Sequence, residues 1–225
     1  SDYVQQTLTG RHKEMVTSIL NKLTTNYTYF LREEAHFQFL QNTVLPDLAK
    51  KHARDKTLSI WSAGCSSGEE PYTISMYLKE FFGSQANSWD TRILATDISQ
   101  QILNKARNPV YREESLERLS SSWKQKYFVK NKDNTYTIAP VIKQNVIFQT
   151  FNLMNPIRFR RPFDLIFCRN VMIYFDQATK DALVQRFYDA TVPGGYLLIG
   201  HSEGLNKAAC PYEYLMPAIY QKTRR

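Results

Sequence analysis

Two acidic residues follow a glycine-containing turn in a stretch whose chemistry would suit a charged ligand. The turn spans residues 64–68 (GCSSG) and is followed directly by Glu69 and Glu70. Glycine allows a backbone to turn sharply and to approach a ligand closely. The spacing matches neither the dinucleotide fingerprint nor the P-loop, which requires a Gly-Lys-Ser/Thr sequence. Two carboxylates at the start of a helix would also repel a pyrophosphate.

Positive charge and free hydroxyl groups are therefore the ligand features that this turn favours. S-adenosylmethionine offers both, in its sulfonium, its ammonium group and its ribose. Asp97 ends a predicted strand at 92–97, and an acidic residue at the tip of the second strand is where such folds accept hydrogen bonds from a ribose. A simpler interpretation stays open, because Ser67 and Glu70 have the spacing of a capping box.

The elements that position these residues alternate between strand and helix. A short apolar run at 58–61 predicts a buried strand, and apolar residues at helical spacing over 74–81 predict the helix that follows the turn. Further strands are predicted at 92–97, 146–152, 163–168, 196–199 and 218–221. This alternation predicts a doubly wound parallel α/β sheet. The polar residues Asp97, Asn152 and Asn170 follow strands and are expected to converge on one edge, where ligands bind.

Residues 108–144 interrupt the alternation and are predicted to form a small antiparallel β insertion. A short helix at 113–119 precedes strands at 127–129 and 136–138, which flank a polar tip at 130–134. The insertion is rich in lysine, tyrosine and phenylalanine, but it shows no spacing typical of nucleic-acid stacking. We expect it to dock a protein or to act as a lid, with RNA contact as the second alternative.

The composition of the chain limits its environment and its partners. The formal net charge is +8 over 225 residues, which favours an acidic partner surface. Three cysteines without metal spacing favour a reducing cytoplasm over secretion, and Cys65 and Cys168 are interpreted as small core residues. The four histidines are scattered, so no metal site is predicted. No apolar run approaches the roughly 20 residues of a membrane span, and we expect a cytoplasmic monomer that binds no nucleic acid.

Four blocks of sequence, in this order, resemble the CheR family of bacterial protein-glutamate O-methyltransferases, which modify chemotaxis receptors. The blocks are 24–32 (TTNYTYFLR), 61–72 (WSAGCSSGEEPY), 95–98 (ATDI) and 167–176 (FCRNVMIYFD), and 200–203 (GHSE) also matches. The resemblance implies a class I methyltransferase (Rossmann-like) fold that carries a small antiparallel insertion. It also implies S-adenosylmethionine as cofactor and S-adenosylhomocysteine as product. The implied substrates are glutamate carboxylates in the cytoplasmic helical region of methyl-accepting receptors.

The resemblance also implies the site, residue by residue. Arg32 and Tyr174 are the candidates nearest the methyl transfer, Arg32 to hold a carboxylate and Tyr174 to line the methyl path or stack on adenine. On composition alone, Arg32 would be a solvated surface residue. The implied cofactor-binding residues are Asn26, Thr28, Arg32, Gly64, Glu70, Asp97, Asn152, Leu153, Arg169 and Asn170.

Domain organisation follows from the same comparison. Residues 1–50 are expected to form an N-terminal helical segment, shorter than the helical domain with which the family begins. Residues 51–225 are expected to form the methyltransferase domain, with the insertion at 108–144. The insertion tip at 130–136 has no glycine, which resembles members that do not depend on a receptor's C-terminal tether peptide. A non-catalytic receptor-docking module that retains the cofactor fold is the alternative function, and a nucleic-acid or small-molecule methyltransferase is a third.

Overall fold

The computed structural model describes residues 27–223, and most of them belong to short helices and strands. The strands are β1 (Ile60–Ala63), β2 (Ile93–Asp97), β3 (Val110–Tyr111), β4 (Phe128–Lys130), β5 (Tyr136–Ile138), β6 (Val146–Thr150), β7 (Phe163–Cys168), β8 (Thr191–Ile199), β9 (Glu213–Met216) and β10 (Ile219–Gln221). The helices are α1 (Glu34–Phe39), α2 (Leu45–Lys51), α3 (Glu69–Phe82), α4 (Gln100–Arg107), α5 (Ser121–Tyr127), α6 (Pro140–Lys143) and α7 (Gln177–Ala190). The first 26 residues of the predicted N-terminal helical segment, with Asn26 among them, lie outside the described residues.

Shorter helical turns complete the secondary structure. A π-helical stretch (Leu40–Val44) joins α1 to α2, and 3-10 turns occupy Gly83–Ser88, Glu113–Leu116 and Met172–Tyr174. In the part of the chain that the structure describes, none of the helices combines the length and the apolar character needed to span a bilayer.

Seven strands form the main sheet, in the order β6-β2-β1-β7-β8-β10-β9. The first five are parallel to their neighbours, and β10 and β9 add an antiparallel edge. The chain builds outward from β1 through β2 to β6, and then crosses to the other side of β1 to form β7. The strand order thus reverses between β1 and β7, which is where ligands bind in open α/β sheets. The predicted doubly wound sheet is confirmed.

Apolar side chains cover both faces of the sheet, because its central strands project them alternately to the two sides. All six residues of β7 are buried, as expected for a parallel strand that is covered on both faces. Ile60 belongs to the apolar cluster on one face and Trp61 to the cluster on the other. The Trp61 ring packs on Phe163 and Phe187, at centroid distances of 5.1 and 5.4 Å. Its indole N–H donates to Thr96 Oγ1 at 2.9 Å, so the one polar atom of this buried ring is bonded.

Helix α3 starts as predicted, but the capping-box interpretation of its start is wrong. The residue before the helix is Gly68, with φ of 98°, and no side chain in the described part of the chain caps the first turn. Ser67 Oγ instead donates to the Glu69 carboxylate at 2.7 Å. Glu70 turns inward and accepts from Ser62 Oγ at 2.7 Å. Glu70 is therefore part of the sheet edge rather than part of a cap.

The predicted insertion is present as a separate three-stranded antiparallel sheet, in the order β3-β5-β4. Two details differ from the prediction. The helix expected at 113–119 is the 3-10 turn Glu113–Leu116, and α5 was not predicted. The start of α5 depends on Ser120, whose hydroxyl accepts from the Trp123 N–H at 3.2 Å. Because α5 contains few apolar residues, its sequence shows no helical spacing of apolar side chains, and the helix could not be predicted from it.

The C-terminal edge also differs from the prediction. Strand β8 was expected to begin at Tyr196, after the Pro-Gly-Gly turn, but it begins at Thr191 and passes through that turn. An irregular register opposite Phe163 and Leu165 accommodates the residues around Gly194, whose φ is 75°. Strand β9 was not predicted, because its residues are mostly exposed and alternate only weakly.

Candidate active site

A cavity of about 740 Å³ opens at the carboxyl ends of the parallel strands, beside the point where the strand order reverses. Such a volume is typical of small-molecule sites. Every described residue of the predicted site lines it, namely Thr28, Arg32, Gly64, Glu70, Asp97, Asn152, Leu153, Arg169, Asn170 and Tyr174. These residues come from the segment before α1, from the start of α3 and from the ends of four strands. The sheet therefore brings together side chains that are far apart in the sequence.

The glycine turn after β1 forms part of the cavity wall and requires glycine at its first position. Gly64 has φ of 81°, in the left-handed region. A Cβ atom there would lie 2.4 Å from Val171 Cγ2, a contact that no side chain could tolerate. The N–H groups of Gly64 and Cys65 both donate to the Thr96 carbonyl, at 2.8 and 2.9 Å. The turn is thus tied to the end of β2, where Asp97 follows.

Asp97 holds two backbone segments while lining the cavity. One carboxylate oxygen accepts from Ser66 N at 3.0 Å and the other accepts from Ser99 N at 2.9 Å. Burial raises the pKa of Asp97, and these backbone N–H bonds oppose the rise. A carboxylate oxygen can accept more than one hydrogen bond. Asp97 can therefore accept from ligand hydroxyls without releasing the turn.

Arg169 is a buried cation held between two glutamates. Its Nη1 donates to Glu70 Oε2 and its Nη2 to Glu33 Oε2, each at 3.2 Å, and Nη2 also donates to the Arg32 carbonyl. Burial raises the pKa of Glu70, while the Arg169 charge opposes the rise. For Glu33, burial alone would raise the pKa, but the Arg169 charge and the His201 N–H hold it below its ordinary value. The structure therefore adds Glu33, which the sequence did not predict, to the support of the cavity.

The charges of this wall complement the proposed ligand. Three carboxylates in or directly behind this wall (Glu33, Glu70, Asp97) and two guanidinium groups (Arg32, Arg169) give one net negative charge when all five are ionised. S-adenosylmethionine carries one net positive charge, because its sulfonium adds to an amino-acid zwitterion. Opposite net charge favours binding in a partly buried site. The cavity fits this cofactor by volume, by hydroxyl acceptors and by charge.

The segment that carries Arg32 is held by the β insertion. The Phe30 ring packs edge-on against Tyr111 and Phe128, at centroid distances of 4.9 and 5.2 Å. Leu31 and Glu33 have left-handed φ values of 60° and 56°, which are uncommon for such residues and persist where neighbours impose them. This backbone turns the Arg32 side chain toward the cavity, where Nη1 donates to the Tyr27 carbonyl at 2.6 Å. The insertion therefore supports the cavity wall as well as presenting its own surface.

Apolar and aromatic residues make up most of the remaining lining, and sequence reasoning missed them. They are Tyr27, Tyr29, Phe37, Ile98, Phe151, Met154, Val171 and Phe175. Nothing in their spacing distinguishes them from core residues. Tyr174 lies among them with 53% of its surface exposed, so the predicted aromatic candidate is on the solvent-accessible side of the cavity. Burial raises the pKa of both Cys65 and Cys168, which keeps them as thiols and supports their interpretation as small core residues.

Glu203 organises the loop after β7 and had no role in the sequence prediction. Its buried carboxylate accepts four backbone N–H bonds, from Asn170 (2.8 Å), Met172 (2.6 Å), Ile173 (3.2 Å) and Gly200 (2.6 Å). Burial raises its pKa, and these bonds oppose the rise. Glu203 therefore fixes the loop that places Asn170 and Tyr174 at the cavity.

Glu203→Gln should lower both stability and ligand binding. The amide nitrogen cannot accept, so at least one N–H of the loop loses its partner in a buried setting. We expect the free energy of unfolding in urea to fall by roughly 1–3 kcal/mol. Calorimetry should show weaker binding of S-adenosylhomocysteine. Glu117→Gln, at an exposed position, is the matched control, and equal stability of the two variants would contradict the assigned role.

Comparisons with known proteins point in one direction. Residues 26–217 match the family model described as CheR methyltransferase, SAM binding domain. A chemotaxis protein methyltransferase of Borreliella burgdorferi is 45% identical over 91% of this chain and 73% of that protein. The corresponding protein of Escherichia coli is 36% identical over 91% and 70%. Among solved structures, a S-adenosylmethionine-dependent methyltransferase from Mesorhizobium loti is 15% identical over 71% of this chain and 54% of that chain, with a TM-score of 0.34.

Proposed function

The chain belongs to the CheR methyltransferase family, and from that premise we propose that it methylates glutamate side chains of chemotaxis receptors. S-adenosylmethionine, when bound, supplies an electrophilic methyl group on a sulfonium sulfur. The receptor carboxylate forms the new O–C bond as the C–S bond breaks, which gives a glutamyl methyl ester and S-adenosylhomocysteine. Such esters would adjust receptor signalling during sensory adaptation.

The observation that carries this proposal is that the described residues lining the cavity include no histidine, and that the two carboxylates among them are already held by hydrogen bonds. Glu70 is bonded to Ser62 and Arg169, and Asp97 to two backbone N–H groups. A hydroxyl or ammonium acceptor would need to lose a proton, whereas a carboxylate is already ionised near pH 7. The lining therefore favours a carboxylate as the nucleophile.

The residues of the cavity have distinct roles in this proposal. Asp97 accepts from the ribose hydroxyls, and Glu70 faces the positive end of the cofactor. Arg32 holds the acceptor carboxylate in its planar guanidinium fork, and Tyr174 covers the path between the two substrates. Alignment of this kind corresponds to effective molarities on the order of 10⁵ M or more. Because a carboxylate and a sulfonium cancel their charges as they react, excluding water should help as well.

A labelling experiment tests the proposed reaction. The protein is incubated with methyl-labelled S-adenosylmethionine and a cytoplasmic receptor fragment, and the product is treated with base. A glutamyl methyl ester should release its label as volatile methanol. A fragment whose acceptor glutamates are replaced by alanine is the control. Label that survives base would mean a different acceptor atom, and receptor binding without any transfer would favour a non-catalytic docking module.

Receptor recognition in this proposal does not require the tether peptide. The insertion tip at 130–136 has no glycine, unlike members of the family that bind the tether. An isolated receptor C-terminal peptide should therefore bind with no useful affinity. Micromolar binding of that peptide in calorimetry would contradict this part of the proposal.

Two exposed lysines at the insertion tip are the best candidates for contact with an acidic receptor surface. Lys124 and Lys126 already lie 3.3 and 2.7 Å from glutamate oxygens. Lys130 and Lys132 are exposed at the tip and form no ion pair among the described residues. Charges at the rim of an interface mainly set the association rate and its salt dependence.

Reversing Lys130 and Lys132 to glutamate should slow receptor methylation by about tenfold at low ionic strength and less at high ionic strength. Cofactor affinity should not change, because neither residue lines the cavity. Lys50→Glu with Arg54→Glu makes the same change of charge at exposed positions outside the insertion. Initial rates over a salt series distinguish the two pairs, and an equal loss in the control pair would contradict a specific contact.

A further inference from the structure

Glu33, His36 and His201 form a cluster next to the cavity that methyl transfer does not use. We propose that these three side chains bind a divalent transition-metal ion of the zinc type. Their ligand atoms all lie within 4.8 Å of one another. Glu33 immediately precedes α1, His36 lies within α1, and His201 lies in the turn that follows β8. None of the three lines the cavity, and the proposed reaction gives none of them a chemical step, although Glu33 supports the cavity wall through Arg169.

The separation of two of the ligand atoms is already suitable for a metal. His36 Nδ1 lies 3.4 Å from Glu33 Oε2. Two ligands at about 2.0–2.1 Å from a tetrahedral ion are separated by roughly 3.3 Å. The His201 ring packs edge-on against the His36 ring, with centroids 4.5 Å apart. Because His201 is exposed, a small rotation can bring one of its nitrogens to the ion, and water can supply the fourth ligand.

His36 is a buried histidine whose ring nitrogens are available to bind a metal ion. It is 1% exposed, and neither ring nitrogen has a hydrogen-bond partner among the described residues. Buried polar atoms are nearly always bonded, so an exception needs an explanation. A neutral imidazole offers a lone pair to a metal ion, and histidine is the commonest metal ligand in proteins.

Neighbouring N–H donors fix the orientation of the Glu33 carboxylate, as hydrogen-bond partners do for metal ligands in proteins. Glu33 Oε1 accepts from Asn170 Nδ2 and from His201 N, each at 3.3 Å, and Oε2 accepts from Arg169 at 3.2 Å. A carboxylate has about four lone-pair sites, which leaves room for a metal bond. The Arg169 charge lowers the affinity for any cation, so we expect binding in the micromolar range. Two imidazoles and one carboxylate favour zinc, cobalt or nickel over magnesium or calcium.

Calorimetric titration of the untagged protein with zinc chloride tests the site. The chain has two other histidines, so the experiment uses a His12→Ala/His52→Ala background in which only His36 and His201 remain. One equivalent of zinc should bind in this background. Adding His201→Ala should weaken binding by at least about tenfold, since even outer-shell changes cost 10–100-fold. His201 is exposed, so this substitution should leave the fold intact.

Cobalt provides a second measurement with a spectroscopic signature. Co²⁺ in the same background should show the intense visible absorption of a four-coordinate ion, and His201→Ala should remove it. Unchanged zinc affinity after His201→Ala would overturn the proposal. So would the absence of saturable binding at a Kd below about 100 μM. A thiolate-to-cobalt charge-transfer band would also overturn it, because it would place the ion on a cysteine.

Discussion

Arg32→Ala should lower the rate of receptor methylation by about 10²-fold or more, the scale of losing a positioned donor at a reacting group. The free energy of unfolding should change little, because the Arg32 side chain makes one hydrogen bond within residues 27–223, to the Tyr27 carbonyl, worth about 1 kcal/mol. The Arg32 carbonyl, which accepts from Arg169, is retained in the variant. Rates at saturating cofactor and receptor, with urea unfolding of each variant, measure the two effects.

Two further variants make this result specific. Arg32→Lys should restore only part of the rate, because an ammonium cannot hold a carboxylate in a planar fork. Arg118→Ala is the matched control. The Arg118 guanidinium lies 4.9 Å from the ring centroid of Tyr29, which is on the same segment as Arg32, but Arg118 does not line the cavity. Full activity of Arg32→Ala would return Arg32 to the solvated role that composition alone predicts.

Asp97→Ala should weaken the binding of S-adenosylhomocysteine by roughly 1–3 kcal/mol, the scale of losing charged hydrogen bonds. Two causes contribute. The ribose loses its acceptor, and the N–H groups of Ser66 and Ser99 lose theirs. Asp97→Asn should also lose affinity, because an amide has one acceptor oxygen for donors on both sides. Calorimetry on variants shown to be folded by circular dichroism measures this loss.

Asp133→Ala is a suitable control for Asp97→Ala. Asp133 also accepts from a backbone N–H, that of Thr135 at 3.1 Å, but it lies in the insertion and is exposed. Its removal should leave cofactor affinity unchanged. Unchanged affinity in a folded Asp97→Ala variant would remove Asp97 from the site and would leave it only as a tie between two turns.

Local patterns of the sequence determined the order of the elements and the edge of the sheet where the site lies. Ser99 and Asp176 are residue types that favour helix N-caps, and each accepts from a backbone N–H three residues further on. The run at 163–168 was predicted to be a strand, and its near-continuous apolar character is matched by the burial of all of β7. Caps and periodic burial involve neighbours a few residues apart, so the sequence contains the information directly.

The resemblance to a known family, rather than periodicity, supplied most of the candidate site residues. Composition alone left Arg32 on the surface, and the spacing of Ser67 and Glu70 gave Glu70 a capping role. The structure corrects the second point, because Glu70 bonds to Ser62 and Arg169 instead of closing a cap. A capping box and a buried ion pair can share one sequence pattern, and only the packing of β7 beside β1 decides between them.

Only the tertiary structure decided which distant groups meet. Glu33 reaches Arg169, Glu203 reaches the loop at Asn170, and His36 reaches His201. Each pair lies on segments that the sheet edge brings together, and each group depends on burial for its pKa or its hydrogen bonds. A contact between residues that are far apart in the sequence leaves no periodic pattern and no fixed spacing from which it could be predicted. The sequence by itself therefore determined the elements and their order, whereas the supports of the site came from the way those elements pack.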